Sequence, residues 1–198
     1  MSIARKFELH AGPFLHAGRS THGLMLEVLL ALVPVILAAV WFFGACALLC
    51  VTAACAGAML TERGLAGAAS ASSLKDGSAA LTGMLLALSL PPSLPLWMAF
   101  LGGAFAVGAG KLAFGGLGQN PFNPALVGRA CLQAAFPGAV THWTRPFAAS
   151  RELLPSLFAL PFTKAPAIDA ITSATPLGIS KFEHQATPLA ALFWGNVA

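Results

Sequence analysis

Residues 24–43 read Leu24-Met25-Leu26-Glu27-Val28-Leu29-Leu30-Ala31-Leu32-Val33-Pro34-Val35-Ile36-Leu37-Ala38-Ala39-Val40-Trp41-Phe42-Phe43, and this stretch decides the fold. As a helix it rises about 30 Å, the thickness of a bilayer's hydrocarbon core. Pro34 is a kink that a membrane helix tolerates, and Trp41 suits the interface between lipid and water. Glu27 is expected in the first turn, facing either the helix N-terminus or the protein interior.

The composition extends this reading to the whole chain. With 57% hydrophobic and 9% charged residues, and a mean hydropathy of +0.78, it has too few charges to coat a water-soluble globule of this size. It is an integral membrane protein. Residues 1–22 are mixed, with Arg5, Lys6, Glu8 and Arg19, so they are expected to be a polar cytoplasmic lead-in and not a cleaved signal peptide. Ser20 or Thr21 is expected to cap the first span. The net charge of +4 is scattered between apolar runs and forms no patch, so topology and not nucleic-acid binding explains it.

Outward from the first span, Gly44 separates it from a second, about 45–60, after which Thr61-Glu62-Arg63-Gly64 is expected to return the chain to water. A Gly/Ala/Ser stretch and Lys75-Asp76-Gly77-Ser78 then precede a short apolar run, 79–90, closed by Pro91-Pro92-Ser93-Leu94-Pro95. That run suits a tilted or broken helix. A fourth span, 96–114, carries Gly102, Gly103, Gly108 and Gly110, which permit close approach of a neighbouring helix or a cofactor. A fifth run, 125–136, contains Arg129. The fold class is therefore an all-α polytopic membrane protein with about five transmembrane or half-spanning helices. It divides into the segment 1–22, a helical bundle over 23–136, and an outer-face segment over 137–198.

Cys46, Cys50, Cys55 and Cys131 lie inside apolar runs without a Cys-x-x-Cys pair. Buried small residues are the expectation, although Cys46 and Cys50 share a helix face on which an iron–sulfur ligand pair is conceivable. His10, His16 and His22 lack the carboxylate or cysteine company of a metal site. No metal ligand and no catalytic residue is expected.

Two stretches interrupt the apolar pattern. Gly115-Gly116-Leu117-Gly118-Gln119-Asn120-Pro121-Phe122-Asn123-Pro124 is wedged between apolar segments, and irregular backbone at membrane depth is tolerated only when buried in protein or lining a cavity. The block is read as a re-entrant break or a site, with a plain cytoplasmic loop as the bland reading. Glycines give close backbone approach and the amides of Gln119, Asn120 and Asn123 give polar partners, as a flat, polar-edged ring requires. Arg129 is too costly in lipid to be idle, so it is expected to face this polar site or another subunit. The second stretch is Asp169-Ala170-Ile171-Thr172-Ser173-Ala174-Thr175-Pro176-Leu177. Its hydroxyls either cap a following helix or present an acceptor on a loop that small residues keep approachable and Pro176 ends.

The second stretch resembles the acceptor sequence of periplasmic flavin transferases, which join the phosphate of FMN to a threonine hydroxyl. By that resemblance Thr175 is the acceptor, becoming a phosphothreonine ester, with Asp169, Thr172, Ser173 and Ala174 as its recognition context. Leu74-Lys75-Asp76-Gly77-Ser78, Thr82-Gly83, Pro91-Pro92, Phe114 to Asn120, Phe122-Asn123-Pro124-Ala125 and the acceptor occur in the order seen in the D subunits of Rnf ion-translocating electron-transport complexes. The B subunit of sodium-translocating NADH:quinone oxidoreductase is similar, though less close at Leu117-Gly118-Gln119.

The resemblance implies a flavoprotein subunit that carries electrons between reduced ferredoxin and NAD, coupled to sodium or proton translocation. Its partners would be the other membrane and iron–sulfur subunits, the flavin transferase and membrane lipid. It also implies covalent FMN, and a non-covalent riboflavin near the block, where Gly115, Gly116, Gly118, Asn120, Asn123 and Arg129 would lie. Such proteins have about twice as many spans, so this chain resembles the first half of a two-repeat bundle. A small-solute channel or transporter and a purely structural subunit are the competing readings.

Charge places the ends. With five crossings and a cytoplasmic N-terminus, Arg5, Lys6 and Arg19, then Arg63 and Lys75, then Lys111 fall inside, while the turns after spans one and three hold no Lys or Arg. This positive-inside pattern puts residues 137–198, Thr175 included, on the periplasmic face of a bacterial inner membrane. Arg145, Arg151, Lys164 and Lys181 lie in that long segment, where charge constrains orientation less; they either help hold FMN phosphate or are simply solvated.

Overall fold

Ser20 begins the first helix: its Oγ accepts a hydrogen bond from Gly23 N–H at 3.2 Å, satisfying one of the donors a helix start leaves open. The computed structural model describes residues 20–65, 76–144, 147 and 150–161, with the side chains of 150–153 left aside. Helix α1 is Thr21–Phe43. Because it starts at Thr21, Glu27 lies beyond the first turn and not within it, as the sequence suggested. Gly44, at φ 68°, donates its N–H to the Val40 carbonyl at 2.8 Å, and α2, Ala45–Leu65, follows at once. Glycine adopts that left-handed conformation without the Cβ clash other residues meet.

Helix α3 is Ser78–Leu88. Its 11 residues rise about 16 Å, half a bilayer. Ser78 N–H donates to Asp76 Oδ1 at 2.8 Å, so Asp76, one residue before the N-cap Gly77, satisfies an open donor at the start, and the proline segment beyond Ser89 prevents continuation. Helix α4, Leu96–Gly110, runs on through a 3₁₀ turn at Leu112–Phe114. Helix α5 is Pro124–Ala135, with Asn123 Oδ1 accepting from Ala125 N–H at 3.0 Å and proline in the first turn. Two short helices follow, α6, Pro137–Thr141, and α7, Ser150–Leu157.

Among the described residues three stretches, Thr21–Phe43, Ala45–Leu65 and Leu96–Phe114, are long and apolar enough to cross a membrane. With the half-length α3 and α5 they make the five crossing or half-crossing elements expected, and no strand occurs among the described residues. The chain is a multi-pass membrane protein.

The core lies between α2, α3, α4 and α5, where Cys50 and Ala54, Leu86, Ala99 and Ala106, and Leu132 are buried together. Cys46 and Cys50 are 0% and 2% exposed, as the small buried residues expected of them. Small residues set the spacing. A Cβ on Gly103 would fall 2.1 Å from the Ala54 carbonyl oxygen, and one on Gly57 would fall 2.0 Å from that of Phe100. The backbones of α2 and α4 therefore touch, which glycine alone allows, and dispersion contacts replace the hydrophobic drive that lipid does not supply. The buried Leu90, Pro91, Pro92 and Leu94 carry the break between α3 and α4 inside the protein. Helix α1 stands at the edge, with Leu30 69%, Leu37 65% and Trp41 75% exposed.

Candidate functional site

Where the ends of α2 and α4 meet the start of α3, three polar side chains are buried together. Glu62 is 0% exposed, Lys111 2% and Ser78 5%. Lys111 Nζ lies 2.5 Å from Glu62 Oε1 and donates to Ser78 Oγ at 2.6 Å. Each residue sits on a different helix end, so one ammonium ties three elements.

This corrects two expectations. Glu62 does not lead the chain into water; Arg63 and Gly64, one residue on, are exposed while Glu62 turns inward. Lys111 is not an inside-facing surface cation but a buried partner. The physical reason is shared: an isolated charge at this depth costs several kcal/mol, which an opposite charge and a hydroxyl offset. The signal was present in the sequence, since Lys111 is the only ionisable residue between Leu96 and Phe114.

The Gly/Asn/Pro block lies just beyond Lys111 and folds as a turn. Gly115, Gly118, Gln119 and Asn123 are exposed, and Gly116 and Asn120 half-buried. Gly115, Gly116 and Gly118 have φ of 101°, 104° and 88°, so glycine is there for left-handed backbone. Close approach to other protein atoms is not the reason at Gly116 or Gly118, because a Cβ at either would meet nothing within 4 Å. Asn120 Oδ1 accepts from Gly118 N–H at 3.3 Å and its Nδ2 donates to the Phe122 carbonyl at 3.0 Å. Asn123 caps α5. The amides thus hold the turn's own shape, and Gly116 N–H, donating to the Lys111 carbonyl at 3.1 Å, joins the turn to the buried pair.

Arg129 points elsewhere: its Nη1 donates to the Ser89 carbonyl at 2.5 Å, at the C-terminal end of α3. A guanidinium there answers the partial negative charge of the helix end and a carbonyl the helix cannot satisfy. Asp169, Thr172, Ser173, Ala174 and Thr175 lie outside the described residues, as do Arg145, Lys164 and Lys181.

A buried charge pair, a half-helix stopped by prolines and a glycine turn beside that pair are the frame in which the similarities fall. Residues 8–198 match the model of the NQR2, RnfD, RnfE family. The chain belongs to that family. It is 41% identical over 191 residues to the D subunit of the ion-translocating oxidoreductase complex of Shigella dysenteriae serotype 1 (strain Sd197), covering 88% of this chain and 54% of that protein. The proteins of the same description from Escherichia coli O1:K1 / APEC and Escherichia coli (strain K12 / DH10B) are each 47% identical over 143 residues, 71% of this chain and 41% of theirs. The chain therefore spans about half the length of the curated relatives it matches. For this NQR2, RnfD, RnfE family member the described helices supply the scaffold, with the charge pair and the glycine turn side by side at one end of it.

Proposed function

We propose that the chain is the flavin-carrying membrane subunit of an ion-translocating oxidoreductase complex, bearing FMN as a phosphoester on Thr175. The observation that carries the reading is the family match together with Asp169-x-x-Thr172-Ser173-Ala174-Thr175. FMN, when bound, supplies stepwise one- or two-electron transfer. The residues of this chain attach and shield it. The Thr175 hydroxyl forms the ester, Ser173 and Ala174 are small neighbours that add little bulk beside it, and Asp169 is part of what the transferase reads.

A second, non-covalent riboflavin is proposed at the Gly115–Asn123 turn. What supports it is open space above Gly116 and Gly118, which lets a flat ring come close to the turn. Arg129, whose Nη1 donates to the Ser89 carbonyl, is not needed for this reading. The reaction is placed between ferredoxin and NAD, in the inner membrane with the acceptor loop periplasmic, and coupled to sodium or proton movement.

The test is in-gel flavin fluorescence of the denatured protein. Thr175→Ala abolishes it and Asp169→Ala weakens it. Fluorescence retained in Thr175→Ala, with the FMN mass still on this loop, would overturn the assignment. A channel or a purely structural subunit would show no covalent flavin at all.

A further inference from the structure

We propose that Glu62, Lys111 and Ser78 form a charge-gated latch that clamps the start of half-helix α3 onto α2 and α4, and that neutralising Glu62 opens it. Three observations converge. Both charges are almost wholly removed from water, at 0% and 2% exposure, so the energy of the pair depends steeply on both being ionised. Lys111 Nζ reaches Ser78 Oγ, on the first residue of α3, at 2.6 Å. Below that contact Ala79 packs with Ala58 and Val107 and is 2% exposed, so separating the ends would wet a closed apolar seam.

Removing the negative charge leaves the ammonium buried with only a hydroxyl, a state the interior does not hold. Lys111 keeps its charge and moves toward solvent, releasing Ser78. Among the described residues, the other charged groups on the packed elements are Asp76, which accepts from Ser78 N–H, Arg63 at the surface, His22 and Glu27, both exposed on α1, and Arg129, which donates to the Ser89 carbonyl; the thiols of Cys46, Cys50 and Cys55 lie along α2. Motion of Lys111 also reaches the glycine turn, through the Gly116 N–H on its carbonyl.

The experiment uses the full complex in unsealed membrane fragments, open to reagent from both faces, with Cys46, Cys50, Cys55 and Cys131 replaced by Ala. Ala79→Cys is the probe and Gly64→Cys an exposed reference, both labelled with a membrane-impermeant maleimide. Glu62→Gln should raise the labelling rate of position 79, relative to position 64, by about tenfold or more, within the range of ordinary coupling between sites. Glu62→Gln combined with Lys111→Met leaves no charge to expel and should return the ratio to that of the parent.

An unchanged ratio in Glu62→Gln overturns the latch. So does a double variant that labels as fast as Glu62→Gln, since that would mean lost packing only. Should Glu62→Gln fail to accumulate, Glu62→Asp, which keeps the charge but withdraws it from Lys111, is labelled in its place. A raised ratio supports the latch and an unchanged one overturns it. None of these readouts uses flavin or electron transfer, so they fail or succeed separately from the function proposed above.

Discussion

Arg129, on α5, closes the C-terminal end of α3 by donating from Nη1 to the Ser89 carbonyl at 2.5 Å. Ser89 also turns its own hydroxyl back, donating to the Leu86 carbonyl at 2.7 Å, which its N–H already reaches at 2.9 Å, so the guanidinium answers the Ser89 carbonyl while Ser89 itself closes the turn before it. A half-helix inside a membrane needs such partners, because lipid offers none.

Arg129→Leu should therefore destabilise the bundle by about 1.5–3 kcal/mol, the range for a hydrogen bond to a charged group. Lysine, which reaches as a point charge but lacks the planar fork, should recover only part of it. Detergent thermal-unfolding midpoints of the three proteins test this. Equal midpoints for Arg129→Leu and the parent would show that the carbonyl is satisfied without the guanidinium.

Close contact of α2 and α4 gives a second expectation. With a Cβ at position 103 only 2.1 Å from the Ala54 carbonyl oxygen, no rotamer change relieves Gly103→Val, because the obstacle is backbone. The helices must part, at a cost of several kcal/mol. At Gly108 the nearest atom to a Cβ is the Thr61 methyl at 3.5 Å, so Gly108→Ala should be near neutral. Yield of folded protein by size-exclusion chromatography separates the two, and similar yields would contradict the packing described here.

Most of the architecture was legible because lipid imposes one rule, an apolar helix of bilayer length or a satisfied break, and Leu24 to Phe43 obeys it without ambiguity. The proline cluster at 91–95 likewise announced the end of α3. The polar centre was legible only in part. Glu62 follows a long apolar run and precedes Arg63 and Gly64, so a local reading sends it to water, whereas its partner lies 49 residues away. Pairing across that separation is set by tertiary packing, which periodicity does not encode. Arg129 was expected to face the polar block or another subunit; the partner it has, a backbone carbonyl of an unrelated segment, leaves no mark on its neighbours in sequence.

Topology remains a proposal with a direct test. Lys111 no longer counts as an inside charge, yet Arg5, Lys6 and Arg19, then Arg63 and Lys75, still contrast with Gly44 and the 89–95 turn, which hold no Lys or Arg. Single cysteines at positions 6 and 145, in a background lacking the native four, should label with an impermeant reagent from opposite faces. Position 145 should react from the outside in intact cells. Outside labelling of position 6 instead would reverse the orientation and place the acceptor loop in the cytoplasm.

The last expectation concerns Gly116, which has φ of 104° and open space where a Cβ would lie. Any side chain there bears the same backbone strain, of order 1–2 kcal/mol, while only a large one fills the space above the turn. Gly116→Ala and Gly116→Leu thus share a structural penalty and differ in occupancy. Should riboflavin rest against this turn, free flavin extracted from the purified complex should fall much further in Gly116→Leu than in Gly116→Ala, with FMN on Thr175 retained in both. Equal losses in the two variants would trace the effect to backbone strain. An undiminished yield in Gly116→Leu would remove the turn from the flavin site and leave its glycines serving the geometry between α4 and α5.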